Sequence, residues 1–467
     1  MRSTTTHATS TQKVRRDVLG GKRGDGHKRD RRIRRPEVTR IRIGKPDPSL
    51  TGAAGLVPFA NYLDQLRLDA QLRDRFFGLK PGTMVVYPME AQLRLLIDVA
   101  VVGEHRVFGL EGWAQDPLFV WLAGGVIPSI DTVYRDLARF DEERLVQAEE
   151  LMAKHGLALV QKQRRRVAHL DIDTTVMPLF GTQDEALRGY NPKYHARPSY
   201  HPLLAVVAET GTCIGAVLRP GDVGFGGEDA PLIGSYVRRL QGVLGRGGVV
   251  RVRIDSGGDC AEIFAEIDAA QAYFIVKTRM TADLCDAVTC TTQWRSVDWD
   301  AEGKPTCQVA EVEFQRKEWL ARNKRYRVIA LRSRDRDSGK QLYLWPELDY
   351  TVQVFITNDP NEDAEDIARE YDGRAGIEPR IAELKGGWGL GSFSSQDFNA
   401  NHALFLVKLL GHNLLRRYVA AQASELSQWR VQWLRRALLC VPGRLIRSGR
   451  TLTLRVAANS RVSKLLN

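Results

Sequence analysis

The sequence predicts an α/β protein: a mixed-sheet core preceded by a helical region and interrupted by a β-rich insertion. Three observations carry this. Residues 46–163 repeat apolar side chains at three- and four-residue spacing, the period of one helix face. From Arg164 the period falls to two, and strand patterns then alternate with helical ones as far as residue 277. Residues 278–349 are polar and β-rich, after which "YTVQVFITN" returns to a strongly apolar strand.

The elements follow in order. Residues 1–45 hold 15 Lys and Arg against 4 Asp and Glu, and so carry +11 of the chain's net +12. An arm this basic and this poor in apolar residues does not fold alone. Its expected partner is a polyanion, bound through counterion release. Within 46–163, the stretch "IDTVYRDLARFDEERLVQAEELMAKHG" has a clear helix start, with Ser129 as N-cap and Asp131 in the first turn. "DPLFVWLAGGVIPSIDTVYRDLARF" reads as helix, turn, helix, and would present Thr132, Tyr134, Arg135 and Arg139 to DNA. Any helical hairpin shares that pattern.

Residues 164–277 read as three strands, then helix, strand, helix, strand, which fits a mixed sheet with helices on its faces. The insertion, 278–349, contains Trp294, Trp299, Trp319 and Trp345. Residues 350–425 hold the returning strand and further helices, and 426–467 form a C-terminal extension ending in a candidate hairpin, "RLIRSGRTLTLRVA".

Within the core, "RRRVAHLDIDTTVMPLFG" alternates with period two, so His169, Asp171 and Asp173 share one face of a strand. Like charges side by side cost stability unless something cationic compensates. Asp255, in "VVRVRIDSGGDC", closes another strand ahead of a glycine turn, where ligands gather in open α/β sheets. Glu378 lies on the helix after the last core strand. Three carboxylates from two strands and a helix would hold a pair of hard divalent cations.

Tyr371, Arg374, Glu378 and Lys385 stand at the spacing Y-(2)-R-(3)-E-(6)-K. With "DIDTT", "GYNPKYHARPSYHPLLAVVAETG" and "RPGDV", this signature resembles the bacterial insertion-sequence transposases of the DDE type, over roughly residues 120–450. The resemblance implies an RNase H-like core interrupted before the glutamate. It implies Asp173, Asp255 and Glu378 as catalytic, metal-binding residues, with two Mg²⁺ (or Mn²⁺) ions per site. It also implies that Tyr371, Arg374 and Lys385 contact DNA phosphates. The function it implies is binding the inverted-repeat ends of the element, cleavage there, and joining of the 3′ ends to target DNA by two-metal phosphoryl transfer. A homodimer in the DNA complex is expected. The rivals are an RNase H-like nuclease or resolvase, and a catalytically silent domesticated DNA-binding protein.

Secondary expectations attach to other residues. Lys193, His195, Arg197 and His201 lie in a proline-punctuated loop and are candidates for backbone contact with DNA. Trp294, Trp299 and Trp319 are candidates for stacking on a flipped base, with packing in the β-rich segment as the alternative. Pro379 follows Glu378 directly, so the helix should break near 373–377 and restart at Pro379, with Glu378 at the helix start. The six cysteines show neither C-x-x-C pairing nor a zinc pattern, which fits free thiols. The longest apolar runs carry Asp98 or Lys408, which excludes a membrane span, and with no signal pattern the expected location is the bacterial cytoplasm.

Overall fold

Strand pairing organises the chain around one large mixed sheet. The computed structural model describes residues 42–191, 194–334 and 350–465. Residues 1–41 of the basic arm, Lys193 and Trp345 lie outside them. From Pro48 onward the chain forms one compact unit.

The described strands, in chain order, are β1 (Leu50–Thr51), β2 (Val167–Thr174), β3 (Met177–Pro178), β4 (Leu187–Arg188), β5 (Pro198–Tyr200), β6 (Leu203–Val207), β7 (Cys213–Val217) and β8 (Val249–Ile254). They continue as β9 (Tyr273–Lys277), β10 (Arg295–Trp299), β11 (Pro305–Glu311), β12 (Arg327–Arg334), β13 (Tyr350–Thr357), β14 (Gly443–Ser448) and β15 (Thr451–Val456). Nine of these form the main sheet, in the order β10-β11-β12-β13-β9-β8-β2-β6-β7. β2, β6 and β7 make an antiparallel meander, and β8 and β9 run parallel to β2. The helices Ala230–Leu244 and Ala261–Ala269 supply the crossovers those parallel strands need.

Residues 278–334 add β10, β11 and β12 to the edge of this same sheet. They join it through β13, which pairs antiparallel with both β12 and β9.

The helical region forms as its periodicity predicts. Ile130–Leu137 is capped by Ser129, whose Oγ accepts the Thr132 N–H, and Glu142–Gln163 by Asp141, which accepts from Arg144 N. Leu56–Gln65, Met89–Val102 and Glu142–Gln163 pack around the 25-residue helix Phe398–Gln422 in one apolar cluster. There the Phe59 and Tyr418 rings meet edge to face, 5.4 Å apart. The second large cluster lies between the main sheet and the helices Ala230–Leu244 and Ala261–Ala269.

The signature segment breaks as Pro379 requires. The helix Ala364–Asp372 gives way to a 3₁₀ turn, Gly373–Gly376, and a helix resumes over Ile377–Gly387. It resumes two residues earlier than the proline: Ile377, not Pro379, is the first helical residue. First-turn N–H groups lack intrahelical acceptors, so proline at the third position removes no bond. Glu378 sits in that first turn.

All six cysteines are free thiols. Among the described residues no helix is long and apolar enough to cross a membrane.

Candidate active site

The parallel pairing of β2 with β8 builds the site. Its register sets His169 beside Arg251 and Asp171 beside Arg253, and pairs Ile172 with Ile254 at the strand ends. One residue further along each strand come Asp173 and Asp255. The alternate residues Ala168, Leu170, Ile172, Val250, Val252 and Ile254 are all buried in the second apolar cluster. Period two therefore turns every charged residue of both strands to the opposite face, towards the signature helices.

On that face the acids and bases form successive rungs. In the first, His169 Nδ1 lies 2.6 Å from Glu209 and Nε2 lies 3.1 Å from Glu370. Burial draws the imidazole pKa down, but hydrogen bonds to the two glutamates outweigh it and push it up to about 9. Arg251 bridges Glu370, Asp359 and Glu362.

In the second rung, Arg253 makes a two-pronged contact with Asp171, Nε–Oδ1 at 2.6 Å and Nη2–Oδ2 at 3.0 Å. Its Nη1 donates to the Glu370 carbonyl. Asp171 is 1% exposed and Arg253 4%. Asp171 is thus committed to a buried ion pair, which assigns the compensating cation of this rung to an arginine. Gly373 makes room for it: a Cβ there would lie 2.5 Å from Arg253 Nη1.

The third rung is open to the cleft. Asp173 Oδ1 accepts from the Thr174 N–H, and Asp255 Oδ1 from the Gly257 N–H at 2.9 Å. Arg374 Nη2 stands 3.3 Å from Asp173 and 4.0 Å from Asp255, close enough for its charge to face both carboxylates without a hydrogen bond to either. Arg374 is buried, and its Nε has no hydrogen-bond partner among the described residues. Burial pushes Asp173 up to about 6; Arg374 opposes this, while Asp255 and Glu378 add to it. Glu378 is exposed, yet near enough for its charge to be felt at Asp173.

These are hard oxygen donors, and mutual repulsion already marks them as a set that wants a cation. Arg374 stands in for one. Among the described residues no three His, Cys, Asp or Glu side chains are gathered closely enough to hold a metal ion. The donor chemistry of Asp173, Asp255 and Glu378 therefore fits divalent cations, whereas the gathered geometry belongs to the guanidinium-bridged arrangement.

A cleft of about 1180 Å³ opens beside this rung, lined among others by Thr174, Asp255, Lys385, Arg279, Tyr190 and Phe225. Lys385 reaches it across the strand end, its Nζ donating to the Val176 carbonyl at 2.8 Å. Tyr371 is largely buried, its ring 4.7 Å from that of Phe355, and burial pushes the phenol up to about 12. Its ring is therefore a packing element beneath Arg374.

The remaining candidates scatter. Arg197 stacks on the exposed Phe180 ring at 4.4 Å, and His195 is exposed. His201 is the exception: it is buried in the cleft wall, with Nδ1 on the Val223 carbonyl. Arg139 pairs with Asp136, which also takes Lys80, and Arg135 leans on Thr132. Trp319 is fully buried among Phe264, Phe314 and Tyr326, a core side chain with no face to offer a base. Trp294 lies under the Arg332 guanidinium, and Trp299 is exposed on β10, at the sheet edge. None of the three lines the cleft; the aromatic side chains there are Tyr190, Tyr194 and Phe225.

Sequence reasoning missed Arg251, Arg253 and Glu370. The signal was present: Arg251, Arg253 and Asp255 repeat with the same period as His169, Asp171 and Asp173.

No curated protein sequence matches this chain. Among solved structures, a piggyBac transposase synaptic complex with hairpin DNA, determined by cryo-EM, is similar at 12% identity. That likeness covers 82% of this chain and 78% of the other, with a TM-score of 0.45, too distant to bear on the site. The family model described as transposase DDE domain group 1 matches residues 37–467. It takes in the helical region, both strands that build the three rungs and the signature helices alike, and on that extent the chain belongs to the transposase DDE domain group 1 family.

Proposed function

We propose that this transposase binds the inverted-repeat ends of its own element, cleaves phosphodiester bonds there and joins the freed 3′ ends to target DNA. The observation that carries the reading is the third rung: two carboxylates at adjacent parallel strand ends, facing one nitrogen of Arg374 beside a cleft. An RNase H-like description of the core is supported by the antiparallel meander β2-β6-β7 continued by the parallel β8 and β9.

Asp173, Asp255 and Glu378 would hold Mg²⁺ or Mn²⁺, two ions per site, which when bound supply Lewis acidity to the phosphodiester oxygens. The chain's own groups do the rest. The N–H groups of Thr174 and Gly257 fix one oxygen of each aspartate and leave the other towards Arg374. Lys385 and Arg279 place positive charge on the cleft wall, where a phosphate backbone would run. Arg374 neutralises the aspartates at rest, and its fork suits a phosphate equally well.

The test combines labelled element-end DNA, a target plasmid and Mg²⁺. End-joined product supports transposition, cleavage without joining supports a nuclease, and a mobility shift alone supports a binding protein. Asp255→Ala should abolish cleavage and spare end binding; loss of both would sink the role given to Asp255.

A further inference from the structure

Beyond Glu425 the chain carries no acid. Residues 426–467 hold eight Arg, one Lys and no Asp or Glu. Inside this stretch β14 and β15 form a hairpin, with β1 as the third strand of the small sheet. The turn is Gly449-Arg450, with Gly449 at φ +60°, which places Arg450 at the tip.

The register is unusual. Arg444 lies directly across from Arg455, with Ile446 and Thr453 as the next pair on the same face. Like charges opposite one another weaken an antiparallel pair. Arg444, Arg447, Arg450 and Arg455 are all exposed, and the last three make no ion pair among the described residues. Around the core sheet several arginines are matched by acids: Arg251 takes three, Arg253 takes Asp171, and Arg316 takes Asp259. In the hairpin, Arg444 Nε donates to Ser49 Oγ at 3.2 Å, and no acid of residues 426–467 is there to face Arg447, Arg450 or Arg455. Exposed Trp433 and Trp429 stand at the start of the same stretch, each with an arginine over its ring, Arg436 at 5.8 Å and Arg461 at 5.3 Å. The chain leaves the basic arm at residue 45 and enters β1, against Arg444, at residue 50.

Facing arginines on an exposed, acid-free ribbon repel one another, and a polyanion lying along the ribbon would relieve that repulsion. A two-stranded ribbon matches the width of a DNA major groove, and guanidinium groups match phosphates. We infer that the C-terminal hairpin is a second duplex-DNA contact, separate from the catalytic cleft, gripping backbone phosphates through Arg444, Arg447, Arg450 and Arg455. This rests on the transposase reading.

The test uses the full-length protein and a fluorescent duplex across a KCl series. A variant with Arg444→Gln, Arg447→Gln, Arg450→Gln and Arg455→Gln should bind at least about tenfold more weakly at low salt. Its slope of log affinity against log salt should flatten by about 0.9 for each phosphate that is no longer neutralised. The matching four Arg→Lys changes should keep most of the slope. Arg455→Gln alone removes the facing pair, so its thermal midpoint should equal or exceed that of the wild type while its DNA affinity falls. Unchanged affinity and slope in the four-Gln variant would overturn the inference, as would tighter binding to anionic lipid vesicles than to duplex. If that variant binds normally while Asp255→Ala loses cleavage, the hairpin assignment alone fails. If the wild type binds no duplex, the transposase reading fails with it.

Discussion

Replacing Arg253 by Met puts the second rung to a quantitative test. Asp171 is then left 1% exposed with no cation beside it, and the Glu370 carbonyl loses a donor. Breaking a buried ion pair from one side costs about 3–5 kcal/mol, because the remaining charge is neither solvated nor paired. Burial already holds the Asp171 carboxyl above its usual range, and hydrogen bonding to Arg253 is the main opposing influence. Without Arg253 the native carboxyl binds its proton more tightly than the unfolded chain does. Such a group costs stability as pH rises, so the deficit of Arg253→Met should narrow on acidification. Urea unfolding followed by tryptophan fluorescence, at neutral pH and near pH 5, measures both effects. Adding Asp171→Leu should restore most of the loss, since an apolar pair of similar volume replaces a buried ion pair at little cost. A single variant within about 1 kcal/mol of wild type, or a double variant less stable than the single, would refute the reasoning.

Three further outcomes follow from the same face. Asp173→Asn should eliminate cleavage of end DNA, whereas Asp171→Asn, two residues away but turned to Arg253, should only weaken it; equal losses in a gel assay would contradict the ranking. His169, held near pKa 9 against 6.5 unfolded, adds stability that is full below pH 6.5 and lost as pH rises through 9, about 3 kcal/mol in all. His169→Asn should flatten that alkaline slope in urea titrations, and an unchanged slope would remove His169 as its source. Gly373→Ala places a methyl group 2.5 Å from Arg253 Nη1, and because that nitrogen is already committed to the Glu370 carbonyl, the strain should cost about 1–3 kcal/mol of unfolding free energy. Wild-type stability in this variant would mean the guanidinium is free to move.

Much of this site was legible in the sequence, and what was missed has physical causes. Asp255 stood out as the residue closing a strand ahead of a glycine turn and Asp173 through the family resemblance, and the parallel register sets the two side by side at the strand ends. The helix break was found because Pro379 cannot continue a helix, though its start moved to Ile377, since proline is tolerated anywhere in the first turn. The partners of Asp171 and His169 were missed because they come from β8, the connection after β6, and the signature helix. Only the parallel register, a long-range property, tells which arginine meets which acid. For Trp319 the packing alternative holds: indole packs a core as well as it stacks on a base, and its aromatic neighbours come from the helix Ala261–Ala269 and from the segments after β11 and before β12, which no local pattern brings together.

The arginine ladder also bears on why Asp173 and Asp255 meet at all. A buried pair such as Asp171–Arg253 adds little net stability compared with an apolar one, so its value lies in what it forbids. Sliding β8 by one residue against β2 would put arginines into the apolar cluster, which every parallel strand resists. Sliding it by two residues keeps the faces correct, and there hydrophobic pattern alone has no veto. One such slip sets Asp173 beside Arg253 and leaves Asp255 beyond the strand end. The opposite slip sets Asp171 beside Asp255, two acids on one rung. The second slip leaves the buried Asp171 facing an acid in place of Arg253, and the first, although it sets Arg251 beside Asp171, draws that arginine away from Asp359, Glu362 and Glu370. The observed register satisfies both rungs and brings two carboxylates together at the third. The inner rungs thus act as a register lock, and the apposed aspartates at the cleft are its consequence.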